Sequence, residues 1–479
     1  VIDEKTAHEA VLQEQVDYLT KKLFGTSSEK TPFDIPGQLN LFNEAEAEQD
    51  PFLPEEDCSE DPRPRKKKAS HAELFKGLTV HKQVIPLAEE DKICPICGTP
   101  MERIGEEYVR RELVFTPARC EIYEYYTESY GCPNCKDGKG DTEKAVIIKS
   151  KAAPALIGKG PASPSTVAWT IYQKYANGMP LYRQEKDWKE YGAAISRTTL
   201  ANWIIYSAEH YFRPLYDYFH RQLLQREFLM ADETRVQVLK EPGRSAESQS
   251  FMWLFRTGED GQPVILLYGY TPTRSGNNAA DFLDGFQGYL ETDGYQGYNK
   301  VSGIKRCSCW AHIRRYFVDA IPKGKQLDYN QPAVQGVHYC DRLARLESTI
   351  TSKCGADHEK RKQMRREKEK PVLEAFWAWV DSQHPTRNTR LDKALTYVKN
   401  RRETSMTYLE DGRCSFTNNL SENAIRPFTL GRKNWLFSDS QDGANASMIV
   451  YTMAEMAKAH WLHPYNYLKY LLDSRPGTD

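Results

Sequence analysis

Phe228-Leu-Met-Ala-Asp-Glu-Thr-Arg235 decides how this chain is read. An apolar run of strand length ends in an acidic pair, Asp232 and Glu233. Gly288-Tyr-Leu-Glu-Thr-Asp-Gly-Tyr-Gln-Gly297 repeats the pattern and ends in Asp293. A third acid, Glu422, lies in Thr417-Asn-Asn-Leu-Ser-Glu-Asn-Ala-Ile-Arg426, which reads as a helix. Two strand-end aspartates and one helical glutamate suit metal-dependent phosphodiester chemistry. Hard cations such as magnesium take carboxylate oxygens and keep positions open for water and phosphate. Two such ions can activate an attacking oxygen and stabilise a leaving one. Side chains alternate along a strand, so Asp232 and Glu233 cannot both face the ions, and the residues alone leave the choice open. Singly, Asp293 is also a good turn former, and Glu422 an acid favoured at a helix start. The argument rests on all three in this order on these elements.

The elements around the acids alternate accordingly. Strands are expected over 226–230, 251–255 and 264–268, then a helix over 278–286, a strand from 289 and a fifth over 305–309. That is the order of a ribonuclease-H-like α/β core, in which the first and fourth strands are neighbours and would bring Asp232 and Asp293 face to face. The core's first part spans 226–317. Long, charged helical sequence over 318–415 reads as an α-helical insertion, and its run from Lys360 to Lys370 as a solvated helix face or a DNA-backbone contact. The final acid helix occupies 416–437, and helices continue over 438–479.

Upstream, residues 1–24 carry Leu12, Val16, Leu19 and Leu23 at zipper-like spacing. Residues 25–72 are rich in Pro, Ser, Asp and Glu and read as a disordered linker. Within 73–150, Cys94-Pro-Ile-Cys97 and Cys132-Pro-Asn-Cys135 form two knuckles whose four thiolates match tetrahedral, structural zinc, hence a zinc ribbon. Cys120 and the aromatic stretch after it read as strand and core. Residues 151–225 are helical. Ser196 caps a helix carrying Arg197, Thr198, Thr199 and Asn202 on exposed positions, which fits either a DNA-binding helix-turn-helix or an ordinary helical hairpin. The formal net charge of −1 over 479 residues is low for a nucleic-acid protein, but basic clusters are local, including Arg426, Arg432 and Lys433 beside the last acid. No apolar run approaches the ~20 residues of a membrane span, so a cytoplasmic protein is expected.

Taken in order, these motifs resemble the transposases of the insertion sequence 66 family over essentially the whole length. The residues that carry the resemblance are the CPxCG zinc motif, Lys174-Tyr-Ala176, Pro180-Leu-Tyr-Arg-Gln-Glu185, the Asp-Glu-Thr and Thr-Asp-Gly-Tyr acids, Cys309-Trp-Ala-His312, Asn418-Asn-x-x-Glu422 and Gly431-Arg-Lys-Asn-Trp435. The resemblance implies a multidomain α/β enzyme with Asp232, Asp293 and Glu422 as a DDE triad binding two magnesium or manganese ions. It also implies 3′-end cleavage and strand transfer, terminal-repeat binding by the N-terminal half, and DNA ends and target as partners. A homo-oligomer on bacterial nucleoid DNA and accessory proteins encoded by the same element are expected with it, and no membrane. The alternatives are an inactive zinc-containing DNA-binding regulator and a ribonuclease-H-like nuclease without strand transfer.

Overall fold

The computed structural model describes residues 120–126, 129–131, 147–149, 154–158, 160–322 and 329–475. The expected N-terminal helix, the linker and the four zinc cysteines lie outside them. Strands β1 (Ser129–Gly131) and β2 (Ile147–Lys149) pair antiparallel. Contrary to expectation, residues 120–126 form no strand and Cys120 is exposed. Strand-like composition there meets no partner strand among the described residues, and an extended segment without one leaves its backbone groups unpaired.

Helix α1 (Pro164–Tyr175) starts at a capping box in which Ser163 and Thr166 satisfy each other's backbone N–H groups. Helices α2 (Leu181–Glu190) and α3 (Arg197–Ser207) follow. α3 does not stop as a short recognition helix would, but passes through a π turn (Ala208–Phe212) into α4 (Arg213–Leu224).

The central sheet contains β3 (Phe228–Lys240), β4 (Gln249–Thr257), β5 (Leu266–Thr271), β6 (Gly288–Thr292) and β7 (Ile304–Ser308), with α5 (Gly276–Phe282) between β5 and β6. The spatial order is β5-β4-β3-β6-β7. β4 runs antiparallel to β3 and to β5, whereas β6 is parallel to β3 and to β7. The first and fourth strands are therefore adjacent. One expectation is corrected: β3 does not end near Asp232 but continues to Lys240. Buried Val236 and Val238 alternate with exposed neighbours, so the half-buried strand pattern persists. β4 pairs it as far as Gln237, and the short β8 (Ser438–Ser440) pairs with Val238 and Lys240.

Past β7 come α6 (Trp310–Ala320), α7 (Pro332–Cys354), α8 (His358–Lys368), α9 (Lys370–Ser382) and α10 (Arg390–Lys399), then α11 (Asn419–Trp435), α12 (Gln441–Ala459) and α13 (Pro464–Asp473). Side chains of α1, α3, α12, α13 and the sheet share one hydrophobic core. α12 is buried nearly all round, as a helix apolar on every face must be. It lies along the sheet edge at β5. The N–H groups of Leu266, Tyr268 and Tyr270 meet Met456 Sδ, Thr452 Oγ1 and Met448 Sδ at 3.2, 3.0 and 3.2 Å. Two strand residues advance roughly 6.7 Å and four helical residues roughly 6.0 Å, so the two ladders stay in step.

The charged run from Lys360 to Lys370 is not simply a solvated face. Arg361 and Arg365, one turn apart on α8, are buried. Arg365 donates to Glu347 Oε2 at 2.9 Å and to the carbonyls of Tyr408, Asp411 and Cys414 at 3.0, 3.2 and 2.9 Å. It clamps the segment that leads into α11. Breaking a buried ion pair by removing one partner costs about 3–5 kcal/mol. Arg365→Met should lower unfolding stability by about that amount in urea denaturation, and an unchanged midpoint would show that the clamp carries no weight.

Candidate active site

β3 and β6 pair in parallel through Phe228 with Tyr289, Leu229 with Leu290 and Met230 with Glu291. Pairing stops there. Asp232 and Asp293 each lie two residues beyond the last pair, so they share one face where the two strands part. Glu233 points to the other face. Its carboxylate accepts Arg274 Nε at 2.8 Å and the Tyr298 hydroxyl at 2.5 Å. Glu233 is thus engaged by Arg274 and Tyr298, whereas Asp232 accepts a backbone N–H.

Asp232 Oδ1 accepts the Glu233 N–H at 2.8 Å, and Asp293 Oδ1 accepts the Tyr295 N–H at 2.8 Å. The loop after β6 is held by Arg306, which donates to Thr292 Oγ1 (2.5 Å) and the Asp293 carbonyl (3.1 Å), and by Arg401, which donates to the Gly294 carbonyl (2.5 Å). Arg401 lies just beyond α10, so the helical insertion braces the second acid directly.

Glu422 sits in the first turn of α11 and its N–H donates to the Asn418 carbonyl at 3.1 Å. Asn418 is fully buried. Its Nδ2 donates to the Ala231 carbonyl at 3.0 Å, and its N–H donates to Cys309 Sγ at 3.1 Å. The Cys309 N–H donates in turn to the Thr292 carbonyl at 3.3 Å. The residues before Asp232 and Asp293 and the start of the Glu422 helix are thus joined by one chain of hydrogen bonds. Arg256 on β4 adds a bond to the Leu420 carbonyl at 3.0 Å. His312 Nδ1 lies 3.6 Å from Glu422 Oε1. Sequence reading assigned no role to Asn418, and the family resemblance suggested core support for Cys309 and His312. The available signals were the second Asn of Asn-Asn before Glu422, and Cys309-x-x-His312.

Burial first, then the charges of Glu233, Asp293 and Glu422, push the Asp232 carboxyl well above the usual carboxylate range. The backbone N–H of Glu233 opposes the shift. Mutual repulsion of this kind, between all-oxygen hard donors, is what a bound divalent cation relieves, so the three acids fit magnesium or manganese.

The residues picked for DNA contact are spread more widely. Arg197, Thr198 and Asn202 are exposed on α3, while Thr199 is half-buried and its hydroxyl lies 3.0 Å from Ser196 Oγ. The Arg197 N–H donates to Glu185 Oε1 at 3.0 Å, tying α3 to α2. Arg432 donates to Thr234 Oγ1 at 3.0 Å and to the Arg235 carbonyl, which fastens α11 to β3. Arg426 is half-buried and Lys433 exposed.

The family model described as Transposase IS66 family matches residues 159–446, which hold all three acids. The chain is a transposase. More narrowly, it belongs to the IS66 family, since the match covers more than half of it. Residues 91–136, with all four knuckle cysteines, match the zinc-finger binding domain of transposase IS66. Residues 11–80 match the model described as Transposase C of IS166 homeodomain. DNA is accordingly the partner, and structural zinc belongs to the cysteine-bearing segment. The chain is also similar to two uncharacterized proteins of Sinorhizobium fredii (strain NBRC 101917 / NGR234). With y4qI it is 26% identical over 427 residues, covering 86% of this chain and 74% of that protein. With y4hP it is 26% identical over 404 residues, covering 79% and 70%. No helix among the described residues is long and apolar enough to cross a membrane.

An acid whose folded pKa is raised holds its proton where the unfolded chain has lost it, so the metal-free fold loses stability as pH rises through the folded value. Asp232→Asn removes that titration. The variant should flatten the pH dependence of melting above the carboxylate range in metal-free buffer. It should also lose most of the magnesium-induced stabilisation, which is about 2.7 kcal/mol for wild type at a hundredfold excess over Kd. Equal magnesium shifts in both proteins would remove Asp232 from the ligand set.

Proposed function

We propose that the chain cleaves the 3′ ends of its element and joins them to target DNA, using Asp232, Asp293 and Glu422 on a ribonuclease-H-like core. The observation that supports this reading is that Asp293, at the end of β6, and Glu422, on α11, both act electrostatically on Asp232 of β3, while the Asn418–Cys309 hydrogen bonds join the backbone beside them. The strand order β5-β4-β3-β6-β7, with β6 and β7 parallel to β3, supports the same core.

Magnesium or manganese, when bound, supplies Lewis-acid activation of the attacking oxygen and charge neutralisation at the leaving one. The three carboxylates hold the ions. Arg306 and Arg401 fix the loop that presents Asp293. In the first step a water oxygen bonds to the phosphorus at the element's end, the bond to the 3′ oxygen breaks, and a 3′-hydroxyl is freed. In the second, that hydroxyl attacks a target phosphodiester and loses its proton, and the target's own 3′ oxygen leaves. No bond to the protein forms. Arg426, one turn after Glu422, and Lys433, in the last turn of α11, are the candidates for meeting phosphates. The exposed Arg197, Thr198 and Asn202, with Thr199 beside them, are the candidates for reading the terminal repeats.

The test is incubation of the full chain with oligonucleotides from the element's ends, with and without magnesium, scoring nicking, and joining from a pre-nicked end. Asp232→Asn, Asp293→Asn and Glu422→Gln should each cut nicking at least roughly a thousandfold, several kcal/mol of transition-state stabilisation, while end binding persists. Wild-type nicking by Asp232→Asn would overturn the assignment. Nicking without joining would leave a nuclease, and binding with neither would leave a regulator.

A further inference from the structure

Cys309 Sγ, a ring nitrogen of His312 and a carboxylate oxygen of Glu422 lie within 4.8 Å of one another. The chemistry above uses only the last of them as a ligand. We propose that these three side chains form a separate site for a borderline-soft cation such as zinc, which draws Glu422 away from the magnesium set and switches phosphodiester chemistry off. The inhibitory half of this rests on Glu422 being a catalytic ligand; the binding half does not.

The donor set is the first argument. One thiolate, one imidazole and one carboxylate suit zinc, whereas magnesium takes oxygen donors almost alone. Geometry is the second. Zinc bonds of about 2.0–2.3 Å in a tetrahedron put ligand atoms roughly 3.3–3.7 Å apart. His312 Nδ1 and Glu422 Oε1 already stand at 3.6 Å, and the spread of the whole set asks for about 1 Å of closure. The third is support for the thiolate. Cys309 caps the N-terminus of α6, where the helix dipole favours negative charge. Burial, then the Glu422 carboxylate, push the free Cys309 thiol well up, so the thiolate forms only as the metal binds. Its sulfur accepts the Asn418 backbone N–H at 3.1 Å, and a donor of this kind strengthens when the acceptor becomes charged. Cys-x-x-His at a strand-to-helix turn places both ligands on the first turn of one helix. Cys309 is buried, while the side chains of His312 and Glu422 keep 16% and 17% of their exposure. A metal there would have three protein ligands and a fourth position toward solvent, unlike the four-cysteine module upstream. Binding releases the thiol proton to solvent.

The experiment uses the full chain with its ribbon already loaded with zinc, and cobalt(II) as the spectroscopic probe. Wild type should take up one further equivalent with a sulfur-to-cobalt absorption band. Cys309→Ser should lose the band. His312→Gln should weaken binding by more than the roughly 10–100-fold that loss of an outer-shell partner costs. Thermal melts of both variants check that they fold, and His312→Gln keeps the test open should Cys309→Ser fail. Zinc added to the magnesium-dependent nicking reaction should inhibit wild type, with the inhibition constant raised by the same factor in His312→Gln. A wild-type chain without the extra band, or a band that survives in Cys309→Ser, overturns the site. Binding without inhibition overturns the competition for Glu422. Absence of any wild-type nicking would count against the proposed function, while the absorption measurement would still decide the metal site.

Discussion

A short relay of hydrogen bonds through Asn418 and Cys309 joins the ends of β3 and β6 to the start of α11. The Asn418 amide reaches the carbonyl before Asp232, its backbone N–H reaches the Cys309 sulfur, and the Cys309 N–H reaches the carbonyl before Asp293. Glu422 begins its helix on the Asn418 carbonyl. Burial, and after it the charges of Glu233, Asp293 and Glu422, push the Asp232 carboxyl up. The scaffold holds these acids through neighbouring backbone groups. In a fully buried residue each of those bonds also avoids the cost of an unmade one.

Much of this was legible in the residues and some was not. The alternation of strands and one helix follows from local pattern, because a half-buried strand and an amphipathic helix leave distinct periods. The adjacency of the first and fourth strands followed from the fold that this order suggests, and β3 and β6 do pair. The length of β3 was not legible, because its continuation beyond Asp232 depends on pairing with β4 as far as Gln237 and then with β8, a three-residue strand distant in sequence. The Asp232 and Glu233 pair could not be separated either, since alternation says that the two diverge but not which way. Arg274 and Tyr298, distant in sequence, claim Glu233. Residues 120–126 err in the other direction, with strand-forming side chains and no strand.

The insertion carries more than its charge pattern announced. A run of Lys and Arg reads as a wet surface, and for most of α8 it is one. Arg365 instead turns inward and gathers three carbonyls from the segment before α11. Arg401 does a comparable job on the loop after β6. Guanidinium groups suit this because they offer several donors in a rigid fork. The helices between the second and third acids thus brace the loop after Asp293 and the segment before α11.

The seal along β5 has a consequence for assembly. An open strand edge is a standing invitation for another chain to add a strand, and here Met448, Thr452 and Met456 occupy the three outward N–H groups. Any added strand at that border would first have to prise a buried helix away. The helix thus closes this border of the sheet with its own side chains, a capping device that needs no second chain.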